Sequence, residues 1–128
     1  MLKPLNPPTV APPFSRYSQA IEGAAGLRWL YVSGQVGVRP DGTIEQGFTA
    51  QAERALDNLI ALLRAANMDT RDLVKVTVYL TPSNDVLEWR RIRDAKLAGA
   101  APASTLVVVA ALASPQWLVE VEGVAAKA

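Results

Sequence analysis

Apolar residues recur at helical spacing between about residues 49 and 66, opposite a face of charged side chains. Asn67 follows this segment, at the position where helices commonly end in a left-handed glycine or asparagine. The pattern therefore predicts a helix with one buried stripe, formed by Ala52, Ala55, Leu56, Leu59, Leu63 and Ala66. A second helix is predicted from about Val86 to Ala98, with its N-terminal stop and cap in residues 81–85.

Residues 74–80 alternate between apolar and polar side chains, which predicts a strand with one buried and one polar face. Two earlier strands are predicted at Tyr17–Glu22 and Arg28–Val36, on either side of a glycine-bounded turn. The run 106–114 shows no polar alternation and therefore predicts a strand that is buried on both faces. One more strand follows it and completes the chain.

These elements give the order β-β-α-β-α-β-β, which is typical of an α+β fold with two helices packed on one face of a sheet. Two helices cover only one face of such a sheet, yet the predicted strand 106–114 is apolar on both. The open face is therefore expected to pack against another copy of the chain.

The length of 128 residues fits one domain, and a hydrophobic content of 50% is enough to build a single core. Residues 1–14 hold five of the nine prolines. They are interpreted as an extended, proline-rich N-terminal arm and not as a secretory signal, and residues 15–128 as one domain. No segment is long enough to span a membrane, so the cytoplasm is the simplest location.

The composition narrows the chemistry that this chain can perform. Thirteen basic and 12 acidic residues leave a net charge of +1, which would steer neither nucleic acid nor a charged membrane toward the protein. The sequence has no cysteine and no histidine, so thiolate sites and the commonest metal ligand and general base are missing. It also has no glycine-rich phosphate loop. No metal and no organic cofactor are expected, and catalysis would fall to carboxylates, hydroxyls, arginine or lysine.

Two sets of polar residues are candidates for a site. Glu120 and Glu122 share one face of the last strand, and a half-buried carboxylate there can orient or deprotonate a water molecule. The alternative is a solvated strand face. On the second helix, Arg90 and Arg93 fall beside the apolar stripe, whereas Arg91 points elsewhere. Either arginine can enter a cleft, and the alternative is again a solvated basic face.

Four motifs carry a family resemblance because they occur together and in order. They are Tyr17-Ser18-Gln19-Ala20, Tyr31-Val32-Ser33-Gly34-Gln35, residues 74–80 and Val119-Glu120-Val121-Glu122. On these motifs the chain resembles the Rid/YjgF family from about residue 13 to residue 126. The resemblance implies a chorismate-mutase-like (RidA/YjgF) fold with a mixed sheet. It also implies a homotrimer with small-molecule clefts between neighbouring subunits.

The resemblance assigns roles to individual residues. It implies that Glu120 positions water in the cleft and that Tyr17 and Ser33 line it. Independently of the resemblance, Gly34 is expected to permit a close backbone approach or a bulge, which is a structural role. Where deaminase members have Pro-Ala-Arg-Ser or Pro-Ala-Arg-Thr, this chain has Pro102-Ala103-Ser104-Thr105, so the arginine is missing. Ser104 and Thr105 are therefore candidate ligand-binding hydroxyls. Arg90 stands where the family often has asparagine and, with Arg93 or Arg16, is a candidate for the missing charge.

Three functions follow from this resemblance. In deaminase members the arginine grips the carboxylate of a 2-imino acid while water attacks the carbon–nitrogen double bond. Without it, 2-iminobutanoate deaminase activity is expected to be weak or absent, and hydrolysis of another imine or enamine is the leading interpretation. The alternative is a homotrimer that binds a small metabolite without converting it. Ribonuclease or translation-inhibitor activity is less well supported, since no histidine pair, basic stripe or aromatic platform is present.

Overall fold

The computed structural model describes residues 1–82 and 85–128, and these form an α+β domain with two helices and six strands. The strands are β1 (Leu2–Leu5), β2 (Ala20–Gly23), β3 (Arg28–Val36), β4 (Leu73–Leu80), β5 (Ala103–Val108) and β6 (Val119–Lys127). The helices are α1 (Phe48–Ala65) and α2 (Val86–Lys96), and a single 3₁₀ turn, Thr70–Asp72, leads into β4.

Four strands form a mixed sheet in the order β3-β6-β4-β5. β6 is antiparallel to both β3 and β4, whereas β4 and β5 are parallel. A parallel pair needs a crossover connection, and α2 supplies it. β1 and β2 form a separate two-stranded antiparallel sheet, so part of the proline-rich N-terminal segment is itself a strand.

The core lies between the two helices and one face of the mixed sheet. Alternate residues of β4 and β6 point toward the helices and are almost fully buried, as the strand period requires. They pack with the apolar stripe of α1 and with α2 in one cluster that includes Leu56, Leu59, Leu63, Val76, Val78, Trp89, Ile92 and Val121. The prediction of two helices on one face of the sheet is therefore confirmed.

The end of α1 confirms the prediction made for Asn67, which has a left-handed φ of 57°. The Asn67 N–H donates to the carbonyl of Arg64, and the Met68 N–H donates to the carbonyl of Leu63. This pair of bonds is a Schellman motif, which satisfies the last carbonyl groups of the helix. Met68 and Leu63 are both buried, so the motif also turns the chain back into the core.

The structure corrects two strand boundaries. The predicted strand 106–114 is β5 and ends at Val108, because its neighbour β4 ends at Leu80 just before Pro82, which has no N–H for a continuing ladder. β5 is an edge strand, with Val107 38% and Val108 52% exposed, so it is not buried on both faces within one chain. The first predicted strand, Tyr17–Glu22, is shifted to Ala20–Gly23.

α2 begins at Val86, as predicted, and Asp85 occupies its N-cap position. The Asp85 side chain makes no cap hydrogen bond to the described part of the chain. Ser83 and Asn84, which belong to the predicted stop and cap, lie outside the described residues. Within residues 1–82 and 85–128, neither helix has the length and apolar character that crossing a membrane requires.

Glu45 anchors the loop between β3 and α1. Its carboxylate accepts hydrogen bonds from Arg39 at 2.8 and 2.9 Å and from Arg54 on α1 at 3.3 Å. The hydrogen bond from Arg39, followed by that from Arg54, lowers the pKa of Glu45 from 4.5 to about 2. Because this folded-state pKa is depressed, the pair stabilises the fold above pH 4.5, and this contribution is lost as the pH falls through about 2.

We therefore expect Glu45→Gln to lower the free energy of unfolding at neutral pH and to differ less from the parent as the pH falls below about 4.5. Urea midpoints measured from pH 7 to pH 2 test this. Glu22→Gln, at an exposed carboxylate on β2, is the matched control and should differ little from the parent throughout. A Glu45→Gln difference that stays constant down to pH 2 would contradict the assignment.

Candidate functional site

Tyr17 lies in a pocket at the outer edge of β5, next to Ser104. The backbone places it there, because the Ser18 N–H donates to the carbonyl of Pro102 at 3.1 Å and Ser18 forms a parallel bridge with Ala103. The Ser18 hydroxyl also donates to the carbonyl of Ala101. The resulting cavity of about 240 Å³, here called the Tyr17 pocket, is lined by Phe14, Ser15, Tyr17, Arg90, Arg93, Ser104 and Leu106.

Helix α2 directs two arginines into the Tyr17 pocket. Arg90 is half-buried, and Arg93 is 6% exposed. The Nε and Nη2 atoms of Arg93 donate to one carboxylate oxygen of Asp94 at 3.0 and 2.9 Å. Arg91 points outward and pairs with Glu88 at 2.7 Å, which agrees with the helical spacing of the sequence. Arg16 is exposed and is not part of the pocket lining.

Glu120 and Glu122 lie on the face of the sheet that the helices leave open, here called the open face. Glu120 is directly opposite Tyr79 in the β4–β6 ladder, and Glu122 is opposite Thr77. The Tyr79 hydroxyl donates a short hydrogen bond to Glu122, and this bond raises the pKa of Tyr79. Tyr79 and both glutamates line a groove with Val109, Ala111, Leu112 and Ala113.

Gly34 shapes the position of Glu120. The β3–β6 ladder shifts register between Val32 and Gln35, so Gly34 lies in a bulge, and the carboxylate of Glu120 rests against its backbone. A Cβ atom at position 34 would stand only 2.7 Å from the carboxyl carbon of Glu120. Gly34 therefore serves the site by its lack of a side chain, in addition to the structural role predicted for it.

The other two candidate residues lie apart from Tyr17. Ser33 is exposed and lines a different groove, between β3 and α1, with Tyr31 and Leu62. Thr105 is exposed on the open face, where its hydroxyl accepts a hydrogen bond from the Lys75 ammonium at 2.7 Å. Within the described part of one chain, the structure thus brings Tyr17, Arg90, Arg93 and Ser104 together at one pocket and leaves Ser33, Thr105 and Glu120 outside it.

Ser104 and Glu120 lie on opposite faces of the sheet. Ser104 and Gly123 both pair with Val76, whose side chain points toward the helices, whereas Glu120 is three residues from Gly123 and faces the other way. Two strand spacings of about 4.8 Å and an offset of three residues of about 3.3 Å place their Cα atoms roughly 14 Å apart. A site that uses both residues therefore needs two copies of the chain.

Several polar contacts were not predicted from the sequence. The burial of Arg93 against Asp94 and the Tyr79–Glu122 bond both depend on which elements are neighbours. The alternation of the strand already places Lys75 and Tyr79 on one face, and this was the only sequence feature from which polar contacts on that face could have been predicted. Within the described ranges, no group of three or more acidic side chains is arranged to hold a metal ion, and the chain has no histidine or cysteine.

The sequence model of a protein family described as endoribonuclease L-PSP matches residues 8–127. A 2-iminobutanoate/2-iminopropanoate deaminase of Mus musculus is 37% identical over 111 residues, which cover 85% of this chain and 79% of the relative. A RutC family protein of Pyrococcus horikoshii is 33% identical over 117 residues, 90% of each chain. The crystal structure of a Rid-family protein of unknown function from Yersinia pestis has a TM-score of 0.85, 32% identity and 97% coverage of both chains.

Gly34→Ala is expected to displace the Glu120 carboxylate while leaving the helix-facing core intact. If Glu120 acts on a substrate, a displacement of about 1 Å should lower turnover by about a hundredfold. Gly23→Ala is the matched control, because its Cβ would meet Leu27 and Trp29 at an ordinary 3.4 Å. Crystallography of both variants tests the displacement directly, and an unmoved Glu120 in Gly34→Ala would show that the close contact does not fix its position.

Proposed function

The chain belongs to the Rid/YjgF family, and we propose that within it this protein hydrolyses a small imine or enamine, with Glu120 as the catalytic carboxylate. The observation that carries the proposal is the environment of Glu120. Its neighbour Glu122 is occupied by the Tyr79 hydroxyl, whereas among the described residues no side chain donates a hydrogen bond to Glu120. Glu120 is therefore available to bind and deprotonate a water molecule.

The reaction balances without any further reactant. Water attacks the carbon of the C=N bond, and its proton passes to Glu120 as the new carbon–oxygen bond forms. The proton then moves to the nitrogen, which gives a neutral carbinolamine. Glu120 next takes the hydroxyl proton of this intermediate as the C=O bond forms and the C–N bond breaks, and that proton passes to the departing nitrogen, which leaves as ammonia or an amine. An imine and one water molecule thus give a carbonyl compound and one amine, and Glu120 returns to its starting state.

We propose that the site is completed between subunits of a homotrimer. The Tyr17 pocket and Glu120 open to opposite faces of one sheet, so a ligand held in the pocket would meet Glu120 of a neighbouring copy. Exposed apolar side chains support this association, since Tyr31 is 76% and Val108 52% exposed in the single chain. Ser33 and Thr105, which lie away from the pocket in one chain, could line the same cleft from its other side.

The proposal includes weak or absent activity toward 2-iminobutanoate. Ser104 stands where deaminase members have the arginine that grips the substrate carboxylate. Losing one partner of a desolvated charge pair costs on the order of 2 to 5 kcal/mol, which corresponds to roughly thirtyfold to several-thousandfold in affinity. The substrate is therefore expected to lack this carboxylate or to place it elsewhere.

Ser104 also favours a second candidate function. A homotrimer that binds a small metabolite without converting it would use Tyr17 and the hydroxyls but would not need Glu120. We do not propose endoribonuclease activity for this chain, although the family is described by that name. The chain has no histidine, and its net charge is only +1.

The protein is expected to form a homotrimer at micromolar concentration. Three chains of 13.7 kDa give a mass of about 41 kDa, which light scattering coupled to size-exclusion chromatography measures. A mass of a single chain at that concentration would remove the basis for a site between subunits.

Glu120→Gln is expected to leave a folded trimer and to reduce imine hydrolysis by about a hundredfold to ten-thousandfold, because the amide cannot accept the proton of water. Imines generated in place by an amine oxidase, which lack the carboxylate, and by an amino-acid oxidase, which retain it, provide the assay, with release of the carbonyl product followed. Glu122→Gln is the comparison variant, since its amide oxygen still accepts the Tyr79 hydrogen bond, and it should retain most of the activity. Tight binding of a small molecule without turnover of any imine would favour the non-catalytic function.

A further inference from the structure

The Tyr17 pocket contains two guanidinium groups and no carboxylate among its lining residues. We infer that this pocket binds the carboxylate of a small monocarboxylic ligand through Arg90 and Arg93 of α2. The inference rests on the proposed function, because it names the substrate class of the same site. It assigns the charge recognition to a helix, whereas Ser104 occupies the strand position where deaminase members have arginine.

Arg93 is the more constrained of the two cations. Its side chain is 7% exposed, and Asp94 holds both Nε and Nη2 through a single carboxylate oxygen. Nη1 has no hydrogen-bond partner among the described residues, and no fully buried polar side-chain atom of those residues lacks one. Nη1 is therefore not fully buried, and because Arg93 lines the Tyr17 pocket we place Nη1 at the pocket surface, with the guanidinium held by Asp94. A guanidinium held in this way loses little side-chain entropy when it binds an oxyanion.

The charges of the pocket favour a monoanion. Asp94 compensates one of the two positive charges, and Arg90 forms no ion pair with any described residue. One uncompensated positive charge matches a single carboxylate better than a phosphate that carries about two negative charges. The planar guanidinium fork also suits the two oxygens of a carboxylate.

The rest of the lining defines the size and polarity of the ligand. Phe14 and Leu106 supply apolar walls, and the cavity of about 240 Å³ is smaller than the roughly 300–1,000 Å³ of sites for drug-sized ligands, so it suits a small molecule. The Tyr17 oxygen accepts a hydrogen bond from the Phe14 N–H at 3.2 Å, which leaves the Tyr17 hydroxyl hydrogen free to donate to the ligand. These features fit a small monocarboxylate with a short apolar portion.

Ser104 is consistent with this arrangement. An arginine at position 104 would add a third guanidinium beside Arg90 and Arg93, and like charges at such close range repel. The small serine leaves room for the two arginines of α2 and keeps a hydroxyl at the pocket wall. The charge has thus moved from the strand to the helix.

Binding of 2-oxobutanoate to the whole protein, measured by isothermal titration calorimetry, tests the inference without requiring turnover. Arg90→Gln and Arg93→Lys are each expected to weaken binding by roughly tenfold to a hundredfold. Arg90→Gln loses a charged hydrogen-bond donor, and Arg93→Lys keeps the charge but loses the planar guanidinium. Arg91→Gln is the matched control on the same helix, where the arginine points outward to Glu88, and it should bind like the parent.

Asp94→Asn is expected to have the opposite effect on the affinity for 2-oxobutanoate. The asparagine oxygen can still accept the hydrogen bonds of Arg93, whereas the competing negative charge is removed. Binding of 2-oxobutanoate should therefore become tighter, and Asp57→Asn, which removes a carboxylate paired with Lys96 outside the pocket, should leave it unchanged. 2-Butanone, which has the same carbon chain without the carboxylate, should bind far more weakly than 2-oxobutanoate.

The inference is overturned if 2-oxobutanoate does not bind, if inorganic phosphate binds more tightly than it does, or if Arg90→Gln binds it like the parent. Arg90 is half-buried, so this variant keeps the test valid even if Arg93→Lys does not fold.

Failure of the proposed function can be distinguished from failure of this inference. Binding that depends on Arg90, without turnover of any imine, would sink the hydrolase and leave the carboxylate pocket standing. Turnover that Arg90→Gln does not alter would sink the carboxylate pocket and leave the hydrolase.

Discussion

The two-residue period of the β-strand is the constraint on which the rest of this structure depends. Because both helices pack on one face of the β3-β6-β4-β5 sheet, alternate residues from Val76 to Leu80 in β4 and from Val119 to Ala125 in β6 face the core, and the residues between them are left on the open face. Val119 and Val121 are buried by the same alternation that exposes Glu120 and Glu122 to the groove. The polar chemistry of the last strand is thus a direct consequence of how its neighbours hold the core.

The same alternation divides the candidate site. Ser104 follows Val76 to the helix side of the sheet, and Glu120 follows Tyr79 to the other side. Neither residue can reach the other within one chain, which links the proposed chemistry to the proposed association of subunits. Gly34 contributes to the site on the open face, because its lack of a side chain leaves the space that the Glu120 carboxylate occupies.

Charge in the Tyr17 pocket is organised by contacts between residues close in sequence on α2. Arg90 and Arg93 are three residues apart and share a helix face, while Asp94 holds the guanidinium of Arg93 from the next position. Arg91 lies between them and pairs outward with Glu88. A basic helix can therefore present two cations to a pocket and a third to solvent, and the inferred recognition of a carboxylate depends on this division.

The sequence by itself determined the elements whose signals are local. The stripe of α1, the left-handed Asn67 and the alternation of β4 all follow from neighbouring residues, and so does the outward direction of Arg91. Only the tertiary structure decided where β5 ends, because that depends on β4 stopping before Pro82 on the adjacent strand. It also decided that Tyr17 meets Ser104 and that Glu122, not Glu120, is occupied by Tyr79. Such pairings join residues that are far apart in the chain, so they cannot be predicted from the periodicity of a single segment.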